Sequence, residues 1–145
     1  MPEIYATFVM GAPHQARRAL IYSALSVWTQ LVWDLLPGSS LWVDGGFVTL
    51  KPESPKDVDV VILTPPGTPI VGVDRLHPLL TMENVSYNLP DGTVGGLQRL
   101  QPMGGLVDGF LVPATDGNKV AFWDGWWRRV KGSSDVKGYL EVSGP

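Results

Sequence analysis

The chain has 145 residues, a formal net charge of −3 at pH 7, 44% hydrophobic and 17% charged residues, and no cysteine. This fits one globular domain without disulfides, thiolate zinc sites or cysteine nucleophiles, and the negative charge argues against a protein that mainly coats nucleic acid. No apolar stretch is long enough to cross a bilayer and the N-terminus does not resemble a signal peptide, so we expect a cytoplasmic protein with no membrane partner.

The N-terminal part of the chain predicts one long helix after a short apolar lead. Residues 1–13 are predicted to be a strand or an arm lying on the domain. From His14 to Leu36, apolar residues recur every three to four positions, which indicates a helix with a wide apolar face. Arg17 and Arg18 lie in its first turn and are interpreted as phosphate contacts or as solvated side chains.

A glycine pair and two aspartates form the centre of the sequence. A strand is predicted from Ser40 to Leu50, interrupted by Gly45 and Gly46, followed by a polar loop and a strand that opens with Asp57 and Asp59. Residues two apart on a strand share one face, so these two carboxylates are predicted neighbours, while the valines between them face the core. Adjacent like charges are retained where a cation or a proton relieves them, although a solvated strand start is the simpler alternative.

This pattern resembles the signature of the polymerase-beta-like nucleotidyltransferases. Members of that superfamily carry Gly-Ser or Gly-Gly after a first strand, then Asp-x-Asp or Asp-x-Glu on the second. More closely, LWVDGGFVT at 41–49 followed by DVDVV at 57–61 resembles an uncharacterised branch of small, stand-alone nucleotidyltransferases of bacteria and phages.

The middle of the chain is rich in turn-forming residues. A proline-rich turn is predicted at 64–72, and a helix broken by Pro78 is predicted from Asp74 to Glu83. Residues 84–103 contain several glycines and predict a flexible loop or a loose hairpin. Such a loop either gates an active site or is a simple connection.

A further strand is predicted from Gly105 to Ala114, with Asp108 as its polar interruption. A lone carboxylate in an apolar strand is costly unless it has a partner. The superfamily requires a third carboxylate on a strand beside the Asp-x-Asp strand, and Asp108 is the position that fits this requirement.

The C-terminal part predicts a helix over Val120 to Val130, a turn, and a strand over Gly138 to Val142. Lys137-Gly138 before that strand extends the resemblance to the C-terminus. Aromatic and basic residues are interleaved here, and they either stack on bases and grip phosphates or pack over the sheet; they are Trp123, Trp126, Trp127, Arg128, Arg129 and Lys131.

The resemblance implies a single α/β (α+β) domain over residues 1–145, with a small mixed sheet flanked by helices. It implies that Asp57, Asp59 and Asp108 bind Mg²⁺ or Mn²⁺, and that Gly45 and Gly46 let backbone N–H groups approach the triphosphate. The implied reaction moves a nucleoside monophosphate from a nucleoside triphosphate to an RNA end or a protein hydroxyl, with release of pyrophosphate. Many relatives have serine where this chain has Gly46.

Two other functions remain open at this point. One is a catalytically inactive binding module of the same fold in a toxin–antitoxin or phage–host interaction. The other is a metal-dependent phosphodiesterase or nuclease that uses the same carboxylates, although this chain lacks the histidine or lysine that such sites commonly add. Because the chain has no room for the helical domain that holds the acceptor in larger nucleotidyltransferases, a protein partner or a homo-oligomer is expected to supply surface unless the glycine-rich loop and the tail do so.

Overall fold

A computed structural model describes residues 1–68 and 73–144, and its architecture is α+β. The central sheet has four strands, which are β1 (Ser40–Asp44), β2 (Val58–Thr64), β5 (Val107–Pro113) and β6 (Leu140–Ser143). Their order in the sheet is β5–β2–β1–β6. Strand β1 runs antiparallel to β2 and β6, whereas β2 and β5 are parallel, so the predicted mixed sheet is confirmed.

Helices cover both faces of this sheet. The predicted long helix is observed as α2 (Gln15–Leu35), and the predicted C-terminal helix as α5 (Gly117–Trp127). The N-terminal segment is neither a strand nor an arm, because it forms helix α1 (Pro2–Phe8) with a proline at its start. Proline suits a first turn, where its fixed φ is already helical and its missing N–H is not needed.

The apolar residues of α2 form two rows along the helix, and one row, Ile21, Leu25, Trp28 and Val32, is fully buried. Ile21, Leu25 and Trp28 have no exposed surface and pack on the sheet, whereas Leu20 and Val27 on the other row are about half exposed. The predicted wide apolar face is therefore only partly used within the described residues. No helix among these residues is long and apolar enough to span a bilayer.

The segment after β1 corrects one predicted strand. β1 ends at Asp44 rather than continuing to Leu50, because Gly45 adopts a φ of 87° and a short 3-10 helix, Gly46–Val48, follows. A positive φ of this size takes the chain out of extended geometry at little cost only for glycine.

Arg18 holds this loop in place. Its guanidinium is fully buried and donates hydrogen bonds to the carbonyl oxygens of Phe47 and Thr49, both at 2.6 Å, and of Pro13 at 2.8 Å. Arg17 donates to the carbonyls of residues 55 and 56. Arg18 is therefore neither solvated nor available to phosphate, and Arg17 also contacts the protein's own backbone.

The middle of the chain contains a second, two-stranded sheet. After one helical turn, α3 (Val73–Leu76), and a 3-10 turn, His77–Leu79, strands β3 (Met82–Asn88) and β4 (Val94–Leu100) form an antiparallel hairpin. The predicted helix to Glu83 is therefore wrong beyond residue 79, and of the two alternatives for 84–103 the hairpin is observed. The last residues of the predicted proline-rich turn, 69–72, lie outside the described residues.

Candidate functional site at the ends of three strands

Three aspartates form a row across the central sheet. The register pairs Asp44 of β1 with Asp59 of β2, and Asp59 with Asp108 of β5. Neighbouring strands lie roughly 4.8 Å apart, so three in-register carboxylates on one face crowd together. They share the face covered by α5. The residue two positions away from each aspartate on its strand lies on the same face, and these residues, Trp42, Val61 and Phe110, pack in the aromatic cluster on that side.

Asp57 lies next to this row but outside the strand. The strand was predicted to open with Asp57, but β2 begins one residue later, at Val58. The predicted alternation is confirmed, because Val58 and Val60 are fully buried in the cluster beneath α2. Asp57 remains near Asp59, since its charge raises the pKa of that carboxyl. The structure therefore brings the three predicted carboxylates together at one end of the sheet. A single turn, α4 (Pro102–Gly105), lies directly before β5 there, and its central residues Met103 and Gly104 have positive φ.

Most of these carboxylates have a side-chain partner. Asp108 is buried and accepts hydrogen bonds from the Thr81 hydroxyl at 2.5 Å and from Arg99 of the β3–β4 hairpin. Asp44 is equally buried and pairs with Lys137. Asp57 accepts from the Gln101 amide, with 3.1 Å between Nε2 and Oδ2. Asp59 accepts no hydrogen bond from any residue that the structure describes.

The environment of Asp59 raises the pKa of its carboxyl. Burial, followed by the charges of Asp57, Asp108 and Asp44, raises its pKa to about 7, and only Lys137 opposes the rise. A carboxyl with that pKa is partly protonated at neutral pH. A cation bound among these oxygens would relieve the same repulsion.

Gly45 makes room for the Asp59 carboxylate. A Cβ atom built on Gly45 would overlap the carboxylate oxygen of Asp59, and the φ of 87° disfavours any other residue. Gly46 is different, because the atoms nearest to its hypothetical Cβ belong to Pro55 and lie 3.8 Å away. The two glycines, predicted to share one role, therefore have separate ones.

A cleft of about 470 Å³ opens beside the carboxylates. Its acidic members are Asp44 and Asp59, the glycine pair contributes to one wall, and two tryptophans of α5 lie on another. Trp127 is buried, whereas Trp126 is 56% exposed. Basic side chains also line it, namely Lys51, Arg129, Lys131 and Lys137. An acidic floor with a basic rim suits a metal-bound polyphosphate.

Sequence reasoning missed two groups at this site. Asp44 stands two residues after Trp42, so the strand period alone places it on the same face as Asp59 and offered a signal. Arg99 offered none, because its contact with Asp108 depends on how the hairpin folds back. In the conformation seen, no three acidic or histidine side chains of the described ranges are arranged as ligands of one metal ion.

Comparison with known proteins places the chain in a family without an assigned activity. No curated protein and no solved structure matches the sequence. A family match extends over residues 1–143, and its description is "Family of unknown function (DUF6932)". Because that match covers almost the whole chain, the protein belongs to the DUF6932 family.

Proposed function

We propose that the protein is a metal-dependent nucleotidyltransferase, which moves a nucleoside monophosphate from a nucleoside triphosphate to an acceptor hydroxyl and releases pyrophosphate. The row of Asp44, Asp59 and Asp108 across three neighbouring strands is the observation that carries the proposal. A fold gains no stability from such a concentration of negative charge, and the raised pKa of Asp59 is one measure of its cost.

The donor set fits Mg²⁺ or Mn²⁺. Both ions prefer carboxylate oxygens, and Asp57, Asp59 and Asp108 provide them at one end of the sheet. Asp44 is less suited to this role, because Lys137 already neutralises it. When bound, the metal would supply charge stabilisation for the entering and leaving oxygens of the displacement.

The chain's own side chains would orient the triphosphate. Lys51, Arg129 and Lys131 line the cleft and can neutralise phosphate oxygens, and Gly46 lines the same cleft without a side chain. Nucleotide transfer needs little more from a protein than this positioning and charge neutralisation.

Arg99 would have to release Asp108 for this arrangement to form. Its side chain is 44% exposed and extends from the hairpin, so it has room to move, whereas the carboxylate it holds is buried. We propose that the phosphates of an incoming nucleotide draw Arg99 away from Asp108. The hairpin would then act as the substrate-selecting loop predicted from the sequence, and the reaction would take place in the cytoplasm.

Label transfer tests this function. Each of the four α-labelled nucleoside triphosphates is incubated with the protein, Mg²⁺ or Mn²⁺, and either total RNA or cell extract. We expect label on an acceptor with the unmodified protein and with Asp34→Asn, which removes an exposed carboxylate of α2. The Asp57→Asn, Asp59→Asn double variant should transfer none. Equal transfer by the double variant, or no transfer by the folded protein with any nucleotide, would overturn the proposal.

The second candidate, an inactive binding module, is favoured by one observation. Asp108 is held by Arg99 and Thr81, and Asp57 by Gln101, so these carboxylates are satisfied without a metal. The variant Arg99→Ala separates the two functions. Metal binding should strengthen in this variant if the carboxylates are metal ligands, and should stay absent if the ion pair is a permanent part of a binding scaffold.

A further inference from the structure

The outer face of α5 carries two exposed aromatic rings that lie against each other. Phe122 is 59% exposed and Trp126 is 56% exposed. They stand one helical turn apart, with ring centroids 6.1 Å apart and planes inclined by only 14°. Trp123 and Trp127, on the inner face of the same helix, pack against Phe110 of β5 and against Tyr139, which directly precedes β6. The outer pair therefore contributes little to the core.

Positive charge is concentrated beside these rings. The Arg129 guanidinium lies over the Trp126 ring, 5.9 Å from its centroid, and Lys131 follows two residues later. Lys119, Arg128 and Lys137 each pair with an aspartate. Arg129 and Lys131 form no such pair with any carboxylate in residues 1–68 or 73–144. In a chain with a net charge of −3, two uncompensated cations beside exposed aromatics indicate an anionic ligand with flat groups.

A groove of about 540 Å³ begins at Trp126, follows the loop after α5 and adjoins the carboxylate cleft. It is lined by Trp126, Arg129, Val130, Lys131, Gly132 and Ser133, and the first four of these residues also line the cleft. A chain lying in the groove would therefore reach the carboxylates within the same continuous surface.

We propose that this groove binds a single-stranded nucleic acid and directs its end hydroxyl into the carboxylate cleft. The inference rests on the proposed nucleotidyl transfer, and it selects a nucleic acid rather than a protein as the acceptor. Exposed rings that stack on bases, alternating with cations that contact phosphates, are the features by which proteins hold single strands. Bases in a duplex are already stacked on each other and cannot use the Phe122–Trp126 pair.

Fluorescence anisotropy with labelled oligonucleotides tests the groove directly, without nucleoside triphosphate or metal. The probes are single-stranded RNA, single-stranded DNA of the same sequence, and the duplex of that DNA. We expect a single strand to bind more tightly than the duplex, and the RNA and DNA arms identify the sugar. Phe122→Ala and Trp126→Ala should each weaken binding by about fivefold or more, since stacking on one base contributes roughly 1–3 kcal/mol.

The salt dependence of binding separates charge from stacking. Lys131→Gln should lower the slope of log K against log[salt] by about 0.7, the value for one phosphate contact on a single strand. Trp126→Ala should leave this slope unchanged. The controls are Tyr5→Ala, which removes an exposed aromatic ring from α1, and Arg75→Gln, which removes an exposed cation from α3. Both should bind like the unmodified protein.

Three outcomes would overturn the assignment of the groove as a single-strand site. They are binding that neither aromatic substitution affects, preference for the duplex, and no binding of either single strand. Failure of the proposed function would look different. If oligonucleotide binding depends on Trp126 but no label is transferred, the single-strand site is supported and the nucleotidyltransferase activity is rejected. If label is transferred only to protein and no oligonucleotide binds, the nucleotidyltransferase activity is supported and the single-strand site is rejected.

Discussion

Asp59 combines an electrostatic cost, seen in its raised pKa, with a specific steric requirement. It is the middle member of a row of three carboxylates, and Gly45 must lack a side chain to accommodate it. Its raised pKa makes the cost measurable without knowledge of the substrate. Two predictions follow from this one residue, one on stability and one on geometry.

The first prediction concerns the pH dependence of stability in the absence of metal. The pKa of Asp59 rises from 3.8 to about 7 on folding, so between these values the native state binds the proton and the unfolded state does not. The free energy of unfolding must then fall as pH rises through this window, by at most about 1.4 kcal/mol per pH unit for one proton.

Urea denaturation at pH 5 and pH 8 measures this effect. Asp59→Asn cannot titrate, so it should lose less stability than the unmodified protein between the two pH values. Asp34→Asn on the surface of α2 should behave like the unmodified protein. The same loss of stability in Asp59→Asn would show that this carboxyl is not the group that takes up the proton.

The second prediction compares the two glycines. Gly45→Ala should displace the Asp59 carboxylate and place alanine at a positive φ, costing about 1–3 kcal/mol of stability and abolishing label transfer. Gly46→Ala has 3.8 Å of clearance from Pro55 and should leave stability within about 0.5 kcal/mol of the starting value. Chemical denaturation and label transfer measure both variants. Equal effects at the two positions would contradict the separate roles assigned to them.

At the residue scale, strand alternation predicted the side-by-side Asp57 and Asp59, the resemblance supplied Asp108, and neither revealed the partners of the carboxylates. A period of two placed Asp57 and Asp59 opposite Val58 and Val60, and the same rule applied to Trp42 would have added Asp44. Arg99 and Lys137 were beyond this reasoning as partners. Their contacts join segments distant in sequence, and only tertiary packing determines them.

At the scale of elements, the N-terminus of α2 positions the loop between β1 and β2. Arg18 donates to one carbonyl within the 3-10 turn and to one directly after it, and Arg17 donates to the segment that leads into β2. His14, at the start of the helix, lies 2.6 Å from the carbonyl oxygen of Pro52. The helix thus fixes the backbone that carries the glycine pair.

Arg18→Gln should therefore destabilise the whole fold. It leaves several buried carbonyl groups without donors, each at a cost of about 1–3 kcal/mol, so a total above about 3 kcal/mol is expected. Thermal denaturation measures this loss. Arg75→Gln, which removes an exposed arginine from α3, serves as the control and should change little. A loss below about 1 kcal/mol for Arg18→Gln would show that the loop holds its shape without the arginine.

Elements with a strong period were predictable from the sequence, and those defined by special backbone geometry were not. The helix over His14 to Leu36 and the strand over Gly105 to Ala114 agree with α2 and β5 to within two residues at each end. The turn after Asp44 depends on a positive φ at Gly45, which composition alone does not reveal. α1 was missed because seven residues are too few to show a period.

For the whole molecule, sheet topology creates the site from distant parts of the chain. The order β5–β2–β1 brings Asp108, Asp59 and Asp44 into one row, and α5 with its following loop adds a basic, aromatic wall. The sequence predicted the mixed sheet, since the strands are distinct and the resemblance supplied their arrangement. The wall was not predictable, because the same tryptophans had two interpretations and only tertiary packing shows that Trp127 is buried over the sheet whereas Trp126 is exposed.

The measurement that tests the central claim most directly is a calorimetric titration of nucleotide in the presence and absence of Mg²⁺. Analogues of the four nucleoside triphosphates with a non-cleavable α,β bridge keep catalysis out of the result. If the strand-end carboxylates hold a metal-bound nucleotide, at least one analogue will bind only with Mg²⁺. The Asp57→Asn, Asp59→Asn variant will then bind it at least about tenfold more weakly, a loss of roughly 1.4 kcal/mol. Nucleotide binding that is independent of Mg²⁺ and unchanged by the double substitution would contradict the claim.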